Sequence, residues 1–313
     1  MVRTTRLVLG IVATRLGMLL VLLALVHAAV AFLPGSGVRG LLGKEASAEQ
    51  VAATEHQLGL DRPWPLRFVE WLRNLAGGDL GQTLRGVPVV EVLGAKFLNT
   101  LLLGGLALIL TATVSIVFGS LWALRPRSAL ARTMASGSTV LIAVPEFVLA
   151  AVFALVFAVW LGWLPAVTIP DGAGRPAELS MLVLPTIALA VPQTGWNIRV
   201  VHAALVDAGS TPAVHAAELD GLSRGSVLWH TILPTALPAI AMSLATTIGP
   251  LLAGTLVVET IFNYPGIGSV LAGSVADRDA TLALTVVALA ATSIMVVLLA
   301  ADLLRAWVIQ GRR

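Results

Sequence analysis

The stretch FLNTLLLGGLALILTATVSIVFGSLWAL, Phe97–Leu124, decides the fold class, because it contains no Asp, Glu, Lys or Arg. A helix of about 20 apolar residues crosses the hydrocarbon core of a bilayer. The stretch is longer than that and carries no charge that water would have to solvate. We therefore predict that it forms a transmembrane helix.

Five further apolar segments flank this stretch on both sides. Together the six spans are predicted at about residues 9–33, 97–124, 130–163, 180–206, 237–258 and 281–309. The third span includes Glu146, and the fifth is predicted to begin near Pro238, after a loop that contains Pro234. Five spans remain an alternative if one apolar stretch is re-entrant. The expected fold is an all-α membrane protein with six transmembrane helices in one domain, residues 1–313.

The overall composition agrees with a membrane protein and excludes several other classes. Hydrophobic residues make up 57% of the 313 residues and charged residues 12%, against about 45–50% and 25% in soluble domains. The absence of cysteine excludes disulfides and thiolate chemistry. The net charge of +3 does not form a basic face, so we expect no nucleic-acid partner. The first apolar segment is longer than the core of a signal peptide, so we expect it to be retained.

The distribution of arginine predicts the orientation. Six spans put both termini on one side, and basic residues in short loops favour the cytoplasm. With both termini cytoplasmic, short outer loops carry only Arg175 and Arg278. The inner side carries Arg3, Arg6, Arg15, Arg125, Arg127, Arg132, Arg199, Arg224, Arg305, Arg312 and Arg313.

Two connecting loops are larger than simple connections. The loop at residues 34–96 is predicted to be extracytoplasmic and contains a helix within Leu58–Leu75, with Trp64 and Trp71 at the interface. That helix either packs on the outer ends of the bundle or contacts a protein that delivers substrate. The second loop, residues 207–236, is predicted to be cytoplasmic.

The cytoplasmic loop reads STPAVHAAELDGLSRGSVLWHTILPTALP, Ser210–Pro238. Thr211 is a plausible N-cap, and Pro212 suits the first helical position. Gly221 is predicted to end this helix in a left-handed conformation. A second short helix is predicted from Ser223 to about Leu233, which makes a projecting helix–turn–helix. Its small side chains at positions 216 and 217 are expected to be exposed.

This loop resembles the E-A-A-x3-G-x9-I-x-L-P motif of the permeases of binding-protein-dependent ABC importers. The matching positions are Ala216, Ala217, Gly221, Leu233 and Pro234, while His215 stands in place of the motif's Glu and Thr231 in place of its Ile. Blocks in the rest of the chain resemble the dipeptide and oligopeptide branch of that family. They are FLPG (Phe32–Gly35), LGLDRPWPLRFVEWL (Leu58–Leu72), GDLGQTLR (Gly78–Arg85), PVVEVL (Pro88–Leu93), VPEFVLA (Val144–Ala150), LGWLPA (Leu161–Ala166) and VETIFNYPGIGSVL (Val258–Leu271).

The resemblance implies a type I ABC importer permease fold, with a cytoplasmic coupling helix, in the bacterial cytoplasmic membrane. It further implies three kinds of protein partner: a second homologous permease, two ABC ATPase subunits and an extracytoplasmic solute-binding protein. Membrane lipid would surround the spans. The chain has no G-x4-G-K-[ST] phosphate loop, so we expect it to bind no cofactor and to carry no catalytic residues. ATP and Mg would be bound by the partner ATPases.

Two groups of residues outside the loop are candidates for the solute path or its outer gate. Glu146 is an acid predicted within a span, and such acids usually face a bundle interior or a water-filled cavity. It could instead cap backbone N–H groups freed after Pro145. The second group either gates the outer mouth or closes the end of the bundle. Its members are Glu259, Phe262, Tyr264, Pro265, Gly266 and Gly268.

Other functions remain as alternatives at this level. Another solute such as nickel or glutathione would use the same permease blocks. A self-sufficient secondary transporter or channel is disfavoured, because the sequence shows no internal repeat. A membrane-embedded enzyme has no supporting arrangement of residues. The histidines lack metal-ligand spacing, so we expect no metal site.

Overall fold

The fold is almost entirely helical in the computed structural model. The structure describes residues 2–32, 37–43 and 45–311, and their side chains except at residues 2–8, 30, 218, 301 and 303–311. These residues form no β-strand, and an isolated bridge pairs Gln82 with Pro88. The helices are α1 (Val2–Ala31), α2 (Gly37–Leu42), α3 (Ala48–Gln57), α4 (Trp64–Ala76), α5 (Val89–Leu124), α6 (Ala129–Ala143), α7 (Glu146–Phe153), α8 (Ser180–Gly209), α9 (Pro212–Leu219), α10 (Arg224–Val227), α11 (Leu233–Ile261), α12 (Ile267–Ala276) and α13 (Ala280–Gly311).

The chain divides into two compact units. Unit 1 comprises residues 1–100, 170–175 and 265–295, and unit 2 comprises residues 101–169, 176–264 and 296–313. Two of the boundaries fall within the long helices α5 and α13, so each of these helices contributes to both units.

In unit 1, an aromatic cluster joins α1 to α4. His27 is 4% exposed, and its ring centroid lies 5.4 Å from that of Phe68, edge to face, and 6.3 Å from that of Trp71. Trp64 lies on the other side of the same ring, at 6.5 Å. The predicted helix within Leu58–Leu75 is therefore confirmed as α4, and it packs on the end of the first span. The structure does not test its contact with another protein.

A buried carboxylate fixes the start of α13 in unit 1. Asp279 is 5% exposed, and its two oxygens accept hydrogen bonds from backbone N–H groups of Leu282 (3.0 Å) and Leu84 (2.8 Å). The first bond caps α13, and the second holds the turn that precedes α5 against the start of α13. The sequence analysis did not identify Asp279.

In unit 2, α8 packs against α6, α7 and α11. Two glycines allow this close approach. A Cβ atom on Gly195 would lie 2.8 Å from Cβ of Leu141 and 2.9 Å from the Ser138 carbonyl oxygen of α6. A Cβ atom on Gly119 of α5 would lie 2.6 Å from the Val201 side chain of α8. Small residues at helix contacts are typical of membrane bundles, where packing rather than hydrophobic burial drives association.

The six predicted spans correspond to six helical segments. Among the described residues, four helices are long and apolar enough to cross a membrane, namely Leu9–Ala29, Val89–Leu124, Arg224–Ile261 and Ala280–Ala300. The pair Ala129–Ala143 and Glu146–Trp160 makes a fifth if it is one span. The remaining predicted span is α8, which has 30 residues and includes Pro185, Pro192 and Arg199. Many residues of α8 are buried against neighbouring helices, so a smaller part of its surface has to be apolar in order to face lipid.

The third predicted span is not a straight helix. Its two limbs are bent by 97° at the break between Ala143 and Glu146. Pro145 explains the break, because proline lacks a backbone N–H and disfavours helical geometry in the residue before it. Val144 is accordingly extended, with φ −94° and ψ 118°. Residues 154–160 at the end of the second limb are π-helical.

The second short helix predicted in the loop is continuous with the helix of the fifth span. The helix runs from Arg224 through a π-helical stretch, Leu228–Ile232, into α11, so that residues 224–236 of the predicted loop are helical. The widened turn comes immediately before Pro234, whose ring would clash with the carbonyl four residues earlier in a regular α-helix. Proline therefore reshapes this helix without ending it.

Candidate functional site

The cytoplasmic loop predicted from the sequence contains a separate short helix, α9, which begins at Pro212 as expected. The Thr211 hydroxyl donates to the Ala208 carbonyl oxygen at 2.9 Å, so this side chain joins α9 to the end of α8. At the other end, the Leu222 N–H donates to the Ala217 carbonyl oxygen at 3.2 Å. Gly221 has φ +77°. This hydrogen bond and this dihedral angle form a Schellman ending, which confirms the predicted left-handed glycine.

The buried face of α9 differs from the sequence prediction. Ala217 was expected to be exposed, but it is 9% exposed and clusters with Val214 and Val227. Ile232 packs against the same cluster. The small size of Ala217 thus serves packing within the loop, where α9 lies on α10 and the π-helical stretch.

The outer face of α9 carries His215 and Ala216, both of which are exposed, as predicted for Ala216. The sequence analysis missed Leu219, which is 88% exposed at the end of the helix. Leu222 follows it at 48% exposure. Leu219 lies two residues beyond the buried Ala217, on the opposite side of the helix. Because Ala217 was expected to be exposed, this spacing would have placed Leu219 on the buried side. These two leucines leave apolar surface exposed where α9 ends.

The last residues of the motif, Leu233 and Pro234, form the first turn of α11. Beside them in the π-helical stretch, Nδ1 of His230 lies 3.0 Å from the Ser226 carbonyl oxygen. All the predicted motif residues therefore lie in one small assembly between the ends of α8 and α11. Helix α9 packs on α10 and on the π-helical stretch that leads into α11.

Glu146 is the first residue of α7, directly after the sharp bend. It is half-buried, and its Oε1 would lie 3.2 Å from a Cβ atom on Gly254 of α11. The absence of a side chain at Gly254 is what leaves room for the carboxylate. A carboxylate in the first helical turn also interacts favourably with the helix dipole.

The first three residues of the candidate outer segment lie in the core of unit 2. Glu259 is 0% exposed, Phe262 1% and Tyr264 0%. The end of α11 is a second Schellman motif, in which Asn263 has φ +48° and the Tyr264 N–H donates to the Glu259 carbonyl oxygen at 2.8 Å. Burial, and secondarily the Glu259 carboxylate, raises the pKa of the Tyr264 hydroxyl, so this side chain is neutral at physiological pH.

The other three residues of the segment belong to unit 1. Pro265 accepts a hydrogen bond at its carbonyl oxygen from the Asn99 side chain, at 2.8 Å. Gly266 is extended and precedes α12, and Gly268 is buried within that helix. Thr100 accepts from the Ile267 N–H at 2.9 Å. Each half of the segment is therefore well packed within its own unit.

The site offers binding surfaces rather than reactive groups. Within the described parts of the chain, no group of three or more His, Cys, Asp or Glu residues is placed to hold a metal ion. The arrangement can transmit motion through α9, because the helix has an exposed outer face and firm attachments at both ends.

Comparison with known proteins identifies the family. Residues 115–313 match the family described as binding-protein-dependent transport system inner membrane component. The chain belongs to this family. It is accordingly a multi-pass inner-membrane transport subunit and not an enzyme, and it works together with an ATPase and a substrate-binding protein.

Individual relatives cover most of the chain. The probable peptide ABC transporter permease y4tP of Sinorhizobium fredii is 29% identical over 86% of this chain and 87% of its own length. The glutathione transport system permease GsiC of Salmonella typhimurium is 32% identical over 87% of this chain and 85% of its own. The oligopeptide transport system permease AppB of Bacillus subtilis is 28% identical over 87% and 88%.

A solved structure supports the fold. The inward-facing MetNI methionine ABC transporter matches with a TM-score of 0.58 and 18% sequence identity, over 69% of this chain and 96% of the matched chain. This likeness confirms the predicted type I importer permease fold. At that identity it carries no information about the transported solute.

Proposed function

We propose that this chain is one of two permease subunits of an ATP-driven importer for dipeptides and oligopeptides. The observation that carries the proposal is α9, a separately capped helix with an exposed apolar residue, Leu219, at its end. The complete importer would contain a second homologous permease, two ABC ATPases and an extracytoplasmic binding protein. Lipid would cover exposed apolar side chains of the spans, such as Leu9 and Leu25 of α1.

The names of the relatives support peptides as the solute class. Two of the three relatives described above transport peptides according to their names, y4tP and AppB. Glutathione is the second candidate, because GsiC is as similar to this chain as the peptide permeases are. Glutathione is itself a small peptide, so both candidates require a path that accepts amide groups and carboxylates.

The mechanism follows from the attachments of α9. ATP and Mg are bound by the partner ATPases, whose closure moves a groove in which α9 sits. The exposed face with His215, Ala216 and Leu219 makes this contact, and the motion passes to α8 and α11. The translocation path then opens alternately to the two sides of the membrane. His215 lacks the carboxylate with which a Glu at this position would form an ion pair.

Roles in the solute path remain predictions for Glu146 and for the outer segment. The partial exposure of Glu146 at a bend is compatible with a path-lining role, and its position at the start of α7 is equally compatible with capping. The burial of Glu259, Phe262 and Tyr264 supports the alternative in which the outer segment closes the end of the bundle.

The proposed orientation places both termini and α9 in the cytoplasm. The chain has no native cysteine, so single cysteines can be labelled without background. We expect Ser47→Cys and Arg175→Cys to react with a membrane-impermeant maleimide in intact cells. Thr211→Cys and Gly311→Cys should react only after permeabilisation. Labelling of Thr211→Cys in intact cells would contradict the orientation.

The proposed function itself is tested by ATP-dependent uptake into proteoliposomes that contain this chain with its partners.

A further inference from the structure

A buried polar network joins α8 to α11 inside unit 2. Asn197 of α8 is 0% exposed. Its Nδ2 donates to the Gln193 carbonyl oxygen at 2.8 Å and to Oγ1 of Thr247 at 2.9 Å. Its Oδ1 accepts from the Ser243 hydroxyl at 2.8 Å. The Thr247 hydroxyl in turn donates to the Ser243 carbonyl oxygen at 2.9 Å.

These hydrogen bonds satisfy both hydrogens of the Asn197 amide and its oxygen. A buried amide that loses a partner is costly, because no water replaces the lost bond. Apolar packing alone allows one helix to slide or rotate against its neighbour, whereas hydrogen bonds fix the distance and direction between their donor and acceptor atoms. Asn197, Ser243 and Thr247 therefore fix the register of α8 against α11, and we call these three residues the α8–α11 clamp.

The position of the clamp relates it to α9. From Asn197, helix α8 continues to Gly209, and α9 then begins at Pro212. On the other side of the loop, α10 continues without interruption into α11. Between the clamp and the loop, an apolar cluster joins the same two helices. It consists of Val201, Leu205, Ala208, Leu228, Ala236 and Ile240.

We propose that the α8–α11 clamp makes α8, α9, α10 and α11 move as one rigid body, so that the motion of α9 reaches both helices without loss. Asn197 and Thr247 are positioning residues in this account, since they act on the solute path through the two helices that carry them. The inference rests on the proposed function for its consequence in transport. The rigidity of the helix pair can be measured independently.

The first test measures the helix pair directly. Spin labels on Val206→Cys and Leu237→Cys occupy positions that are 52% and 54% exposed, on α8 and α11 respectively. We expect one narrow distance distribution, unchanged when the assembled transporter binds nucleotide. Thr247→Val retains the side-chain shape but removes the hydroxyl, and it should broaden the distribution in the purified chain. Thr247→Ser restores the hydroxyl and should restore the narrow distribution.

A matched control separates the clamp from general packing. Thr111 is also 0% exposed, and its hydroxyl donates to the Ala190 carbonyl oxygen between α5 and α8. Thr111→Val removes a buried hydroxyl of the same kind outside the clamp and should leave the distribution narrow. An unchanged distribution in Thr247→Val, or equal broadening in Thr111→Val, would overturn the proposal. So would a distance in the unmodified pair that shifts on nucleotide binding.

The second test measures coupling in the assembled importer. Thr247→Val should assemble and hydrolyse ATP, but the solute imported per ATP should fall several-fold, and Thr247→Ser should recover it. Normal coupling in Thr247→Val would overturn the role of the clamp in transport. If the wild-type complex imports nothing, the proposed function fails, and the spin-label distances still decide whether the helix pair is rigid.

Discussion

Gly221→Val should uncouple the transporter while leaving its spans inserted. Gly221 has φ +77°, and a left-handed conformation costs a residue with a side chain about 1–2 kcal/mol, more for a β-branched one. That penalty lowers the equilibrium constant between the native loop conformation and its alternatives about 5–30-fold. A Cβ atom on Gly221 would contact nothing within 4 Å, so the effect comes from the backbone alone. Co-purification of the ATPases and solute-stimulated ATP hydrolysis measure it.

Two control variants isolate the backbone effect at position 221. Gly221→Asn should behave as wild type, because asparagine tolerates this conformation and Asn263 already adopts it at the end of α11. Gly225→Val adds the same side chain in the same loop at a position that is also open. It should retain ATPase association. Wild-type coupling in Gly221→Val would mean that the ending of α9 has no role in force transmission.

Asp279→Ala should cause the second large effect, a loss of folded protein from the membrane. The substitution leaves two backbone N–H groups, of Leu84 and Leu282, without their acceptor. Each buried donor left unsatisfied costs about 1–3 kcal/mol. Together they amount to a large fraction of the stability of a typical domain, about 5–15 kcal/mol. The amount of monodisperse protein and its thermal unfolding temperature in detergent provide the measurement.

Asp277→Ala is the matched control for this prediction. Asp277 lies two residues earlier, is exposed, and pairs with exposed Arg85 at 3.5 Å. Exposed ion pairs contribute about 0–1 kcal/mol, so this variant should unfold close to the wild-type temperature. Equal decreases of the unfolding temperature in the two variants would show that the local negative charge, rather than the hydrogen bonds of Asp279, determines the stability of this region.

The features that the sequence predicted correctly depend on local chemistry. Pro212 begins α9 and Gly221 ends it because proline and glycine have conformational preferences independent of distant residues. The long apolar helices follow from continuous runs of apolar residues. The burial of Ala217 could not be predicted in this way. Its packing partner Val227 lies beyond the turn, and the sequence of so short a helix does not show which of its sides is buried.

The features that the sequence analysis missed depend on distant residues. Asp279 caps α13 locally, but its second partner, Leu84, is 195 positions away. Pro145 and Pro234 have the same chemistry, yet the chain bends by 97° at the first and continues through a π-helical turn at the second. Neighbouring helices decide which response is favourable. Glu146 was correctly placed at a helix break, while its contact with Gly254 required the packing of α7 on α11.

The most direct test of the central claim is ATP-dependent uptake by a reconstituted complex. Proteoliposomes would contain this chain, the second permease and both ATPases, with the binding protein added outside. Radiolabelled trialanine and glutathione would be the two probes. We predict uptake of trialanine that requires ATP, the binding protein and this chain, and that Gly221→Val lowers about 5–30-fold. Transport by this chain alone, or uptake in the full complex that is independent of ATP, would contradict the account.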